Sequence, residues 1–278
     1  MRTAALAILA ICFLSAGPGL ARPSSGTSAP QISYIGSARG YDLVVANEDG
    51  SQARSIYKSS RMLKGELAPG GMIYFWDGGR FLRMPATGGA AQLLFDSGRT
   101  VPNHFDIAPD GASVAWYDPG AGAIKRFDVG SQIQTVLSQV GTVIDLTYDH
   151  SGGAVIFAEQ VGDTDYELKS VPATGGSPIP LGLVGRISSF DSARRDATLA
   201  LTFNPAGGAP YIALWKPGMA SAVRIADGYA PTYRCDDSAI LYQRMTPSGS
   251  ALFLRWSSGA ISQVAKPNAV FPSFTPTC

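Results

Sequence analysis

The apolar positions of the chain fall into short, nearly continuous runs: Met72-Ile73-Tyr74-Phe75-Trp76, Ser113-Val114-Ala115-Trp116-Tyr117, Ala154-Val155-Ile156-Phe157-Ala158, Thr198-Leu199-Ala200-Leu201-Thr202 and Ala239-Ile240-Leu241-Tyr242-Gln243. Runs this apolar and this short predict strands buried on both faces, not the in-and-out alternation of a half-exposed sheet. Each follows a turn of common design, clearest in Leu67-Ala68-Pro69-Gly70-Gly71 and Ile107-Ala108-Pro109-Asp110-Gly111, with degenerate copies starting at Tyr148, Phe190, Tyr233 and Phe274. The leading positions 67, 107, 148, 190, 233 and 274 lie 40, 41, 42, 43 and 41 residues apart.

Such a period marks a repeat architecture. After each turn come three strand-like runs, the last two separated by a glycine-containing hairpin; Pro85-Ala86-Thr87-Gly88-Gly89 recurs letter for letter as Pro172-Ala173-Thr174-Gly175-Gly176. Four short strands per unit of this length predict a β-propeller blade. Five full units start at Leu67, Ile107, Tyr148, Phe190 and Tyr233. The chain begins with three strands lacking the leading one (near Ile32 to Ser37, Asp42 to Asn47 and Arg54 to Tyr57) and ends on a leading strand, Pro272 to Pro276, lacking the other three. Joined, they make a sixth blade. The expected fold is therefore all-β, a single six-bladed propeller over residues 32–278, closed by pairing of the C-terminal inner strand with the three N-terminal strands.

Composition agrees with this pattern. The 278 residues include 32 Gly and 19 Pro, which supply tight turns and argue against long helices. Lys plus Arg is 22 and Asp plus Glu is 21, so no strong field draws in nucleic acid. Met1-Arg2-Thr3, an apolar run from Ala4 to Ala16 and small residues at Gly19 and Ala21 read as a secretory signal peptide over 1–21, followed by a short linker over 22–31. The run is too short to span a bilayer, so no transmembrane anchor is expected after cleavage, and the location is periplasmic or extracellular. Leu9-Ala10-Ile11-Cys12 is a poor lipid-attachment motif because Ile11 is bulky. Cleavage leaves Cys235 and Cys278, whose bridging is the economical reading in an oxidising compartment; two free buried thiols are the alternative.

The turn Ile107-Ala108-Pro109-Asp110-Gly111, the hairpin Asn47-Glu48-Asp49-Gly50-Ser51 followed by Arg54-Ser55-Ile56, and the ending Phe271-Pro272-Ser273-Phe274-Thr275-Pro276 resemble the propeller repeats of the TolB family, from about Ile32 to Cys278. The resemblance implies a periplasmic propeller; in that family the propeller follows an N-terminal α/β domain and binds a lipoprotein of the cell envelope. The short stretch before the first strand leaves no room for that domain, so a stand-alone, monomeric propeller is expected. The turns at Phe190 and Tyr233 depart from the family's Pro-Asp-Gly pattern.

Catalytic signatures are absent from the sequence: there is no G-x-S-x-G, H-E-x-x-H, C-x-x-C or phosphate-binding loop. Gly120-Ala121-Gly122 lacks the third glycine of a dinucleotide fingerprint, and Ser55 and Lys58 of an S-x-x-K match belong on opposite faces of a strand. The two histidines, His104 before an inner strand and His150 after one, should lie at opposite faces of the ring, so neither a metal nor another cofactor is expected. The residues leading into successive inner strands supply the best candidate ligand site, at the channel mouth: Lys64 and Glu66, His104 and Asp106, then Asp145, with Arg61, Arg99 and Arg186 nearby. The plainer reading of each is a solvated loop charge or an inter-blade hydrogen-bonding group. The corresponding positions Ala230 and Phe271 are apolar, and a mouth charged on one side and greasy on the other suits a peptide or protein better than a bare ion. The expected function is a non-enzymatic binding module for an envelope protein or peptide; the alternative is a carbohydrate-active lyase or hydrolase acting at the same mouth.

Overall fold

The computed structural model describes residues 31–36, 41–61, 63–97, 104–265 and 268–274. The expected leader, Arg99 and Cys278 lie outside them. Blade 1 combines β1 (Gln31–Gly36), β2 (Tyr41–Asn47) and β3 (Arg54–Ser59) with the last strand, β24 (Ala269–Phe274), in the order β24-β1-β2-β3. Blade 2 is β4 (Leu63–Ala68), β5 (Met72–Asp77), β6 (Arg80–Pro85) and β7 (Gln92–Asp96). Blade 3 is β8 (Phe105–Ile107), β9 (Ser113–Asp118), β10 (Ala123–Asp128) and β11 (Gln134–Gln139). Blade 4 is β12 (Val143–Tyr148), β13 (Ala154–Gln160), β14 (Tyr166–Pro172) and β15 (Ile179–Gly185). Blade 5 is β16 (Ile187–Ser192), β17 (Leu199–Phe203), β18 (Tyr211–Trp215) and β19 (Val223–Asp227). Blade 6 is β20 (Tyr229–Tyr233), β21 (Ala239–Thr246), β22 (Gly249–Trp256) and β23 (Ile261–Ala265). All pairings are antiparallel, and the architecture is the six-bladed propeller that the repeat predicts. The first strand opens at Gln31, one residue before the expected domain boundary.

The second strand of each blade is apolar throughout because its alternate side chains serve two interfaces. On β5, Ile73 and Phe75 pack toward blade 1 while Tyr74 and Trp76 pack toward blade 3. Likewise Val114 and Trp116 of β9 face blade 2, and Ala115 and Tyr117 face blade 4. The buried apolar residues accordingly form six clusters, one between each adjacent pair of blades around the ring. The joint between blades 2 and 3 is aromatic, with Phe95 5.3 Å from Trp76 and 5.0 Å from both Trp116 and Phe127, distances favourable for ring packing.

The repeated Pro-Ala-Thr-Gly-Gly sequence builds the same turn twice. In each, the first glycine has φ of +92° and donates its N–H to the proline carbonyl, at 2.9 Å for Gly88 and 2.8 Å for Gly175. A β-carbon is disfavoured in that left-handed conformation, hence glycine at both positions. The ring closes where β1 meets β24, with Ile32 opposite Phe274 and Gly36 opposite Ala269. Two contacts tie blade 1 to blade 6: Glu48 accepts from Arg234 Nε at 2.8 Å, and the Gly50 turn sits so close to β23 that a β-carbon would lie 1.6 Å from the Val264 carbonyl oxygen.

Candidate functional site

Side chains of all six inner strands border a cavity of about 200 Å³ on the propeller axis. Strand alternation explains the placement, since residues two apart share a face. Lys64 and Glu66 reach in from β4, Asp106 from β8 and Asp145 from β12, with His104 just ahead of β8. Five of the six expected ligand-site residues thus converge. Arg186 does not: it sits in the link between β15 and β16, its carbonyl accepting from Asn204 N–H, one residue short of the strand that turns side chains inward. Arg61 also stays outside, donating to the Gly78 carbonyl at 3.3 Å. The cationic place on this arc belongs instead to Arg194, in the turn after β16, beside Asp191.

Asp191 and Arg194 escaped the sequence reading because it searched the residues leading into inner strands, and these two follow the leading position, Phe190. The signal was the departure of Phe190-Asp191-Ser192-Ala193-Arg194 from the Pro-Asp-Gly turn. Here β16 continues to Ser192 and carries an aspartate into the channel.

Most of these carboxylates also do structural work. An inner strand is the edge of its sheet, so its outward N–H groups lack a neighbouring strand and need other acceptors. Asp106 accepts from Tyr148 N–H at 2.6 Å and from Thr147 Oγ1 at 2.8 Å. Asp145 accepts from Phe190 N–H at 3.0 Å, and Asp191 from Tyr233 N–H at 2.7 Å. Between blades 1 and 2 a hydroxyl takes the same role, Ser273 Oγ accepting from Leu67 N–H at 3.1 Å. Tyr148, Phe190, Tyr233 and Leu67 are leading residues of the repeat, so the periodic position is also the inter-blade fastening. The plainer reading therefore holds for Asp106 and Asp145.

Glu66 takes no part in that fastening. Lys64 Nζ, 3.0 Å away, is its hydrogen-bonding partner among the described residues, and Lys64 also donates to the Phe105 carbonyl at 3.2 Å. Burial raises the Glu66 carboxyl to a pKa of about 8, with Asp106 and Asp191 adding to the rise and Lys64 opposing it. Asp106 is also raised, first by burial and further by Asp191, against the pull of Arg194. For Lys64, burial acts to lower the ammonium, but Glu66, Asp145 and Asp106 outweigh it and the net shift is upward. Glu66, Asp106 and Lys64 therefore share one tendency, each holding its proton more tightly than in water. His104 Nδ1 stands 3.4 Å from Asp145 Oδ1.

The opposite arc is apolar, formed by Ala230 and Pro231 on β20 and Phe271 and Pro272 on β24. Ala230 and Phe271 have φ of +52° and +51°, left-handed values that non-glycine residues rarely adopt, and each directly precedes a proline. The strand ladders shift register beside both. These bulges bend the two strands where the channel opens. Among the described residues no cluster of three or more His, Cys, Asp or Glu is arranged to hold a metal ion.

These features define a six-bladed β-propeller with an axial channel, charged on one side and apolar on the other. No protein-family model matches the chain, and no curated protein sequence matches it. Solved structures do match in fold. TolB from Acinetobacter baumannii superposes with a TM-score of 0.77 at 15% identity, over 89% of this chain and 67% of that one. A chain of the nidogen/laminin complex gives 0.71 at 10% identity, over 90% and 100%, and a putative TolB from Agrobacterium tumefaciens gives 0.69 at 14%, over 88% and 91%. The propeller expected from the TolB-like turns is the fold observed.

Proposed function

We propose that this chain is an exported, non-enzymatic binding module of the bacterial cell envelope that recognises a protein or peptide through the mouth of its axial channel. The observation that carries this reading is the two-sided channel, with Lys64, Glu66 and His104 facing Ala230, Pro231 and Phe271. Apolar surface flanked by a few directional polar groups is the usual chemistry of peptide recognition. One structural match comes from a complex between two proteins, nidogen and laminin, which supports the same use of the fold. Export rests on the leader-like residues 1–21.

Affinity capture from an envelope extract tests the reading, using residues 22–278 beside a Lys64→Ala/His104→Ala variant. Both substitutions spare the aspartates that fasten the blades, so the variant is expected to fold, which its thermal unfolding checks. Loss of a specific captured protein in the variant supports the reading. Retention of the same proteins by both chains, or of none by either, overturns it.

A further inference from the structure

The cavity holds four carboxylates, Glu66, Asp106, Asp145 and Asp191, against two permanent cations, Lys64 and Arg194, with the imidazole of His104 beside Asp145. Asp106, Asp145 and Asp191 spend oxygens on backbone N–H groups, which fixes their positions. Glu66 alone is free of that duty. It stands next to the apolar arc, because β4 adjoins β24 through the bond from Leu67 N–H to Ser273. The channel already houses one guanidinium, since Arg194 reaches in from the turn after β16 to lie 3.7 Å from Asp191, its buried Nε without a partner.

Resting on the channel-mouth reading above, we propose that the ligand's anchor is a single guanidinium or alkylammonium group on a basic side chain of the partner, seated against the Glu66 carboxylate with its aliphatic stem along Ala230, Pro231 and Phe271. Long basic side chains combine these two surfaces, an apolar stem and a charged tip. The cavity of about 200 Å³ is smaller than pockets for drug-sized ligands, about 300–1,000 Å³, which suits one side chain. Before the ligand binds, Glu66 holds a proton, in keeping with its pKa of about 8. Binding exchanges that proton for the ligand's cation: Glu66 releases H⁺ as the guanidinium enters. The charged and titratable groups facing Glu66 are Lys64 from β4, His104 and Asp106 from β8 and its approach, Asp145 from β12, and Asp191 and Arg194 from β16 and its turn; β20 and β24 present Thr232, Ser273 and Phe271, which are uncharged.

The test is calorimetry on residues 22–278 with capped alanine pentapeptides carrying a central arginine or a central citrulline, which is isosteric and neutral, and with agmatine as a free cation. Arginine is expected to bind at least tenfold tighter than citrulline. Its affinity should rise about tenfold or more between pH 6 and 8.5 with release of protons, and Glu66→Gln should weaken binding and remove that part of the pH dependence. Should the variant fail to fold, the arginine-to-citrulline ratio on the unaltered chain decides. Equal binding of the two peptides overturns the cationic anchor while leaving the peptide reading intact. Absence of binding by either at millimolar concentration also overturns it, and the capture experiment then judges the broader reading separately. Agmatine binding as tightly as the arginine peptide would overturn the partner side chain as the source in favour of a small free cation.

Discussion

A carboxyl with a pKa raised on folding makes stability depend on pH in a definite direction. Glu66 moves from an ordinary 4.5 to about 8, so between these values the folded state binds more protons than the unfolded chain. Its contribution is therefore fully present below about pH 4.5 and is lost as pH rises through about 8. Glu66→Gln, which mimics the protonated carboxyl, should flatten this part of the profile. The expected result is that the melting temperature of the unaltered chain falls relative to the variant between pH 5 and 8.5, measured by circular dichroism. A constant difference between the two across that range would count against a buried, proton-holding Glu66. Asp236 works in the opposite sense: despite its partial burial, bonds from Ser238 and Arg234 hold it down to about 2, so its contribution is present at neutral pH and fades only in strong acid.

The elements are joined by side-chain acceptors on inner strands, and Asp191 spans the most ground. It lies within hydrogen-bonding reach of Thr147 in blade 4 and accepts from Thr232 and Tyr233 N–H in blade 6. Asp191→Ala would strand the buried Tyr233 N–H and the Thr232 hydroxyl at once, while Thr147 keeps its shorter bond to Asp106. With each orphaned buried group costing about 1–3 kcal/mol, the loss is expected to be about 3 kcal/mol, read as a shift in the urea midpoint. Arg194 would also lose its counter-ion. Outer hairpins tolerate more. Gly88→Ala leaves ordinary space around the new carbon but forces φ of +92° on alanine, for an expected loss of about 1 kcal/mol in the same melt. Gly50→Ala meets the Val264 carbonyl directly and should be much the worse of the two.

For the whole molecule, closure decides whether blades cooperate. Removing residues 269–278 deletes β24, leaves β1 paired with β2 alone and opens the Phe274 side of the cluster between blades 1 and 6. The expected outcome is loss of a single cooperative transition. A truncated chain that still melts sharply would show that closure is dispensable. Cys235 follows β20 and is engaged with a partner, whereas Cys278 lies outside the described residues. A bridge between them would tie the ends of neighbouring inner strands and stabilise by at most about 4 kcal/mol. Thiol titration of denatured residues 22–278 should find none without reductant and two with it; two without reductant would disprove the bridge.

Much of this architecture was written in local pattern. The spacing of Leu67, Ile107, Tyr148, Phe190, Tyr233 and Phe274 was enough to count blades and to join the two chain ends, because each blade must bury both faces of its second strand and can do so only between neighbours. The candidate channel residues were legible for the same reason: a fixed offset from a periodic residue places side chains at equal depth, and Lys64, His104 and Asp145 share that offset. Only the tertiary structure decided which charges meet. Arg186 stops one residue short of β16 while Arg194 reaches in from the turn after it, and the fastening role of Asp106, Asp145 and Asp191 depends on backbone donors more than forty positions away in sequence. Local periodicity specifies elements and their order, but the partners of a buried charge are set by curvature and register across the ring, which no single repeat contains.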